Sequence, residues 1–206
     1  MSVLEICELQ VKPEISPNDP AILKRLIEVR SALKAKVVNT NSKFYQCIEE
    51  PMLIYILGVW PSISSHNAFL DSPQKSEILS PQVDLLDFNW MVHVPFSDMS
   101  CLPLDAHVMS IARLGFKSGA NIVEYQRVLN KHRQKIVEAS KPHKMVDRWR
   151  CDGESGTEET FIFTGWQSVE AHEEFTASAM EDPEYASVKY LSKERAVKHV
   201  RNMEAS

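Results

Sequence analysis

Tyr125 and His132 stand seven residues apart in a segment whose apolar residues recur at helical spacing, so a phenol and an imidazole share one helix face two turns apart. An imidazole titrates near neutral pH and a phenol donates a hydrogen bond, so the two together could move a proton on an enolisable carbonyl. Their stripe runs Ile122, Tyr125, Leu129, His132, Ile136. An earlier stripe, Ile22, Leu26, Val29, Leu33, is apolar throughout. Setting Leu33 against Ile136 puts Val29 opposite His132 and Ile22 opposite Tyr125. A position that is greasy in one copy and ionisable in the other has no shared reason of fold to be polar, so Tyr125 and His132 are the expected catalytic pair. The alternative, a core histidine bonded to backbone beside an amphipathic tyrosine, stays open.

Further side chains could hold a substrate around such a pair. His107 and Arg113 alternate with Met109 and Ile111 on one face of an expected strand, and Arg148 shares a face with Lys144, Val146 and Arg150. An arginine in a cavity can hold a carboxylate or a developing enolate, whereas on an edge strand it is solvated decoration. Tyr55, Trp60 and Trp166 are the expected aromatic wall. Asp87, Asn89 and His93 share one face of another strand. Runs such as Glu170, Glu173, Glu174 or Lys131, Arg133, Lys135 read as solvated helix surface.

Composition removes several classes of function. The 206-residue chain carries 23 Lys and Arg against 28 Asp and Glu, a net charge of -5, so nothing attracts it to a phosphate backbone and no nucleic-acid partner is expected. The longest uncharged apolar stretch, Met52 to Trp60, is about half of the roughly 20 residues a membrane-spanning helix needs, so no membrane partner is expected. The acidic N-terminus lacks the pattern of a secretory signal, and the expected location is the cytoplasm. Cys7, Cys47, Cys101 and Cys151 form neither Cys-x-x-Cys nor a zinc-spaced cluster, which reads as four reduced thiols. Six glycines and no glycine-rich phosphate loop leave nothing to cradle a nucleotide. No cofactor and no metal are expected.

The elements that would position these residues follow from a repeat. Trp60, Ser62, His66, Phe69 and Ser72 match Trp166, Ser168, His172, Phe175 and Ser178 at a common offset of 106 residues. An offset near half the chain predicts two homologous halves, 1–98 and 104–206. His66 and His172, present in both, read as packing residues, with Ser62 and Ser168 as helix caps. In the first half the period predicts a strand over Val3–Lys12, a helix opened by Asp19 and Pro20, strands over Phe44–Glu49 and Met52–Trp60, a short helix after Ser62 and a long strand over Gln82–Val94. The second half repeats that order: Asp105–Lys117, a helix from Asn121 with Glu124 as a capping box, strands near His143–Asp152 and Glu159–Trp166, a helix from Ser168, and Leu191–Val200. The last of these could equally continue a helix from Tyr185. The predicted class is α+β: two tandem ferredoxin-like βαββαβ halves, packed sheet to sheet as a pseudo-dimeric α/β barrel.

At its two Gly-Val-Trp60 and Gly-Trp166 segments, each continuing through Ser, His and Phe, the sequence resembles the dimeric α/β-barrel superfamily, in particular the antibiotic biosynthesis monooxygenase type as a fused tandem pair. The resemblance implies that fold and a small-molecule pocket. The group includes cofactor-independent monooxygenases, haem-degrading enzymes, polyketide cyclases and proteins without established chemistry. Two departures narrow it. Where such monooxygenases carry an Asn four residues before the strand Trp, this chain has Ile56 and Ile162; where haem-degrading relatives carry a ligand His, it has Leu70 and Thr176.

The leading expectation is therefore a cofactor-independent natural-product tailoring enzyme that cyclises or isomerises an apolar polyketide- or terpenoid-like small molecule. Cofactor-free oxygenation of an aromatic substrate is one alternative, and a non-catalytic or stress-related binding protein is another. The more polar second half is the expected seat of the active pocket. The expected partner is a hydrophobic small molecule, and a homodimer of the fused chain is left open.

Overall fold

The first helix begins where its chemistry requires. The Asp19 carboxylate accepts the Ala21 N–H at 2.8 Å, and Pro20 fills the first helical position, where its missing N–H costs nothing. The computed structural model describes residues 1–116, 122–154 and 156–205. By its contacts the chain divides into Met1–Met99 with Arg201–Ser206, and Ser100–Val200.

The first unit runs β1 (Val3–Val11), α1 (Pro20–Lys36), β2 (Lys43–Cys47), β3 (Leu53–Trp60), α2 (Ile63–Leu70), α3 (Gln74–Val83) and β4 (Leu86–Pro95), and its antiparallel strands lie in the order β4-β1-β3-β2. This is the predicted ferredoxin-like order with one extra helix. The α1 stripe of Ile22, Leu26, Val29 and Leu33 is buried as its spacing predicts. Ile22 and Leu26 pack with Cys7, Leu9, Val11, Phe44, Ile54 and Leu86; Val29 and Leu33 pack with Val3, Trp60, Phe69 and Ile78. Each large side chain so buried contributes about 1.5–3 kcal/mol.

In the second unit come β5 (Val108–Phe116), α4 (Ile122–Ser140), β6 (Met145–Trp149), β7 (Glu158–Trp166), α5 (Val169–Ala179), α6 (Pro183–Leu191) and β8 (Glu194–Asn202), the strands lying in the order β8-β5-β7-β6. Tyr125, Val128, Leu129, His132 and Ile136 form the buried stripe of α4. Asn121, the expected cap of that helix, lies outside the described residues. The charged Lys193-Glu194-Arg195 run enters a strand rather than continuing a helix, because Glu194 to Val200 pair with Gly115 to Met109 of β5.

Two expectations are corrected. The segment expected as one strand over Gln82–Val94 starts instead as the end of α3, with Pro81 inside that helix; the strand begins at Leu86. Pro81 suggested a break, yet near the end of a short helix its missing donor forfeits a single hydrogen bond. The segment after Ser168 is likewise two helices, since the Asp182 carboxylate accepts the Glu184 N–H at 3.0 Å with Pro183 next to it and so starts α6.

Strand alternation decides which side chains meet the helices. Val3, Glu5, Cys7, Leu9 and Val11 lie on one face of β1, and Glu5 pairs across the sheet with Gly58 of β3 and His93 of β4. At Gly58, beside Glu5, an added Cβ would lie 3.0 Å from the Ser42 Cβ, so the chain before β2 passes too close for a larger residue to fit without a shift.

Candidate active site

The two units hold cavities of very different size. In the first, α1, α2 and α3 stand off the sheet and leave about 570 Å³ lined chiefly by apolar groups, among them Leu26, Leu33, Phe44, Phe69, Leu79 and Leu86. In the second, the corresponding space is about 80 Å³. Interiors are otherwise close-packed, and cavities of a few hundred cubic ångströms with a few convergent polar groups are characteristic of ligand sites. The second half was the expected seat of the active pocket, whereas the larger cavity lies in the first. Exposed Lys75, Val83, Asp87 and Phe88 line its outer end.

Glu5 is the carboxylic acid on the inner wall. Its side chain is 14% exposed, and its Oε2 accepts the Trp60 indole N–H at 2.7 Å. Burial raises the carboxyl from the usual carboxylate range to about 7; the Trp60 hydrogen bond and the nearby His93 pull the other way and lose. The acid and its anion are therefore both populated near neutral pH, as a group that must give and take a proton requires.

Two imidazoles continue from this carboxyl. His66 Nε2 lies 3.9 Å from Glu5 Oε2, and His66 Nδ1 meets His93 Nε2 at 2.8 Å. Burial, with His93 adding to it, lowers His66 to about 3, so at neutral pH its ring is uncharged. That ring stacks on Trp60 at 4.1 Å between centroids and 11° between planes, with Phe69 stacked behind. The neutral imidazole thus lies flat against the Trp60 indole, with its edge toward Glu5.

The repeat separates scaffold from chemistry. In the second unit Trp166 stacks on His172 at 4.5 Å and His172 Nδ1 meets His199 Nε2 at 2.7 Å, the same arrangement on the same elements. Ser62 Oγ accepts the Ser65 N–H and Ser168 Oγ the Ala171 N–H, so both serines cap as the spacing predicts. What differs is the partner of the indole. Trp166 donates to Ser110 Oγ at 3.0 Å where Trp60 donates to Glu5. Val3 pairs with Trp60 and Val108 with Trp166, which makes Glu5 and Ser110 equivalent positions, two residues along each strand. Thr164, opposite Ser110, stands where the first unit has Gly58.

The other residues singled out by sequence fall as follows. Tyr125 lines the small cavity, but its buried hydroxyl has no hydrogen-bond partner, and burial raises its proton affinity above that of an ordinary phenol. His132 does not join it there: its ring packs edge-on to Tyr185 and its Nε2 points to Asp182 and Glu184. Trp166 lines the small cavity and Trp60 the large one. His107 is exposed ahead of β5. Arg113 is held by Glu159 at 2.7 Å, and the exposed Arg148 donates to the Asp147 carbonyl at 2.7 Å. Tyr55 is buried and donates to Glu8 Oε2 at 2.6 Å, on the sheet face opposite Glu5. Leu70 and Thr176, the positions where the resemblance would place a haem-ligating His, line the large and the small cavity respectively.

Sequence reasoning missed Glu5. A signal was there to be read: Val3-Leu4-Glu5-Ile6-Cys7 matches Val108-Met109-Ser110-Ile111-Ala112, with Glu5 facing a serine.

No family model matches the sequence, and no curated protein matches it. Solved structures do resemble it. An anthrone oxidase-like protein superposes with a TM-score of 0.62 at 12% identity, covering 98% of this chain and 92% of that one. A protein provisionally named a monooxygenase, from Lactobacillus acidophilus, gives 0.58 at 11% identity, covering 98% and 93%. A single-residue variant of chlorite dismutase from Candidatus Nitrospira defluvii, in complex with cyanide, gives 0.55 at 10% identity, covering 98% and 90%. These likenesses establish the fold: two ferredoxin-like α+β halves in one chain. In this structure the first half encloses an acid in an apolar cavity.

Proposed function

We propose that the protein is an enzyme that moves a proton within an apolar, enolisable small molecule held in the first-unit cavity, isomerising or cyclising it. The observation that carries this reading is the Glu5 carboxyl, poised at about 7 on the wall of a cavity of about 570 Å³. Its ionised form would take a proton from a carbon beside a carbonyl, leaving the C–H electron pair in the enolate. The resulting carboxylic acid would return that proton to a different carbon. Nothing is oxidised or reduced, and no co-reactant is needed. Trp60 keeps Oε2 oriented and leaves Oε1 to the ligand, while Leu26, Leu33, Phe44 and Phe69 exclude water and so strengthen every electrostatic contact within.

A second reading shares the first step. The solved neighbours named for anthrone oxidation and monooxygenation favour a carbanion that then meets dioxygen. Product mass separates the two. Metabolites of source cells lacking the gene, complemented with the wild-type chain or with Glu5→Gln, should show an accumulated isomer of the lost product that only the wild type removes. An accumulated precursor lacking an oxygen atom would support oxygenation instead. An unchanged profile would contradict catalysis and leave a binding protein.

A further inference from the structure

His132 has a place that neither the half-one cavity nor its own small cavity explains. The residue is 2% exposed, and its Nε2 is buried without a hydrogen-bond partner. It faces two carboxylates on the first turn of α6: Glu184 Oε2 at 3.5 Å and Asp182 Oδ2 at 3.7 Å. Three ligand atoms about 2.0–2.1 Å from a tetrahedral zinc ion stand roughly 3.3–3.4 Å from one another. The observed separations are close to that spacing, and all three ligand atoms lie within 4.8 Å of one another.

We propose that His132, Asp182 and Glu184 form a binding site for a divalent transition-metal cation of the zinc class, with water as the remaining ligand. One imidazole nitrogen and two carboxylates are a borderline donor set, suited to Zn²⁺ more than to Ca²⁺ or Mg²⁺, which take oxygen alone. The carboxylates are partly exposed, at 35% and 24%, which gives an ion a path in from solvent. Bound there, the ion ties α6 to α4 and fixes Tyr185, which lies edge-on to the His132 ring and lines the small cavity.

Three cations pair with the same two carboxylates. Lys131 and Arg127 pair with Glu184, and Lys135 lies 3.6 Å from Asp182. Each is at least half exposed on a long, mobile stem, and exposed ion pairs of this kind contribute little, so all three can swing away. They lower the affinity without closing the site.

Titration of the full chain with Zn²⁺ by calorimetry, and with Co²⁺ by its visible absorption, tests this. One ion should bind per chain with a tetrahedral Co²⁺ spectrum. Asp182→Asn, which retains an oxygen to cap α6, and Glu184→Gln should each weaken binding about tenfold or more. Lys131→Met should tighten it, since it removes a competitor. No saturable binding would overturn the site. Equal binding in both carboxylate variants, or binding lost only in Cys151→Ser, would overturn it too. His132 is buried and its variants risk unfolding, so the two partly exposed carboxylates carry the test.

Discussion

The Trp60 indole donates to Glu5 Oε2 at 2.7 Å, and that one bond marks where the two halves of the chain part company. Its counterpart runs from Trp166 to a serine hydroxyl. The Trp-on-His stacking and the His–His contact are common to both halves, so the carboxyl is what the first half adds to them.

Replacing Glu5 with Gln should keep the Trp60 hydrogen bond, because the amide oxygen still accepts it, while removing the group that exchanges a proton. Turnover is expected to fall about 10²- to 10⁴-fold with ligand affinity largely retained. Steady-state kinetics beside a direct binding measurement would check this.

Glu5 also makes stability depend on pH. Its carboxyl rises from 4.5 to about 7 on folding, so the folded state holds the proton more tightly. That contribution is present in full below pH 4.5 and is lost as pH rises through 7, about 3 kcal/mol in all. Glu5→Gln removes it. The stability of the variant relative to wild type should therefore climb between pH 4.5 and 7, as read by urea denaturation across that range.

Tyr125→Phe is expected to be neutral or to stabilise by up to about 1 kcal/mol, because the hydroxyl it removes is buried without a partner. Activity should survive the change, since the large cavity is in the other unit. A loss of activity with intact folding would return the chemistry to the second half.

Glycine positions differ sharply in tolerance. An added Cβ at Gly165 would lie 2.5 Å from the His143 Cβ and 2.8 Å from those of Ala106 and Pro103, whereas at Gly115 the nearest atom is 3.5 Å away. Gly165→Ala should cost about 1–3 kcal/mol and Gly115→Ala far less, by thermal or chemical denaturation.

Arg30 closes the first unit's terminal segment. Its guanidinium makes paired bonds of 2.8 and 2.7 Å to Glu204 and a third to the Ser42 carbonyl at 2.8 Å. Glu204→Gln should cost about 1–2 kcal/mol and free that segment, raising amide exchange at Met203, whose N–H bonds the Phe44 carbonyl at 2.9 Å.

Much of the fold was legible because it is written in periods. The α1 and α4 stripes, the caps at Asp19, Ser62 and Ser168, and the repeat anchored on Trp60 and Trp166 all depend on spacing along one chain. The helix α3 was not, since Pro81 argued locally for a break, whereas the packing of Ile78 with Phe69 and Trp60 and the pairing of Glu77 with Lys36 are contacts between distant segments. The site was legible in principle by the rule that led to Tyr125 and His132, namely that a position polar in one copy alone is under a separate demand. Applied to the helices, that rule found a pair whose side chains diverge; applied to β1 against β5, it finds Glu5. Burial then raises the carboxyl, and burial is a property of the packed cavity rather than of the strand.

The most direct test of the account is the titration of Glu5 itself, followed by NMR of the side-chain carboxyl carbon with Glu5→Gln used for assignment. A midpoint near 7, displaced when an apolar ligand fills the cavity, is what the account requires. A midpoint near 4.5 that ignores the ligand would mean that the carboxyl is solvated, and the proposed proton chemistry would lose its acid.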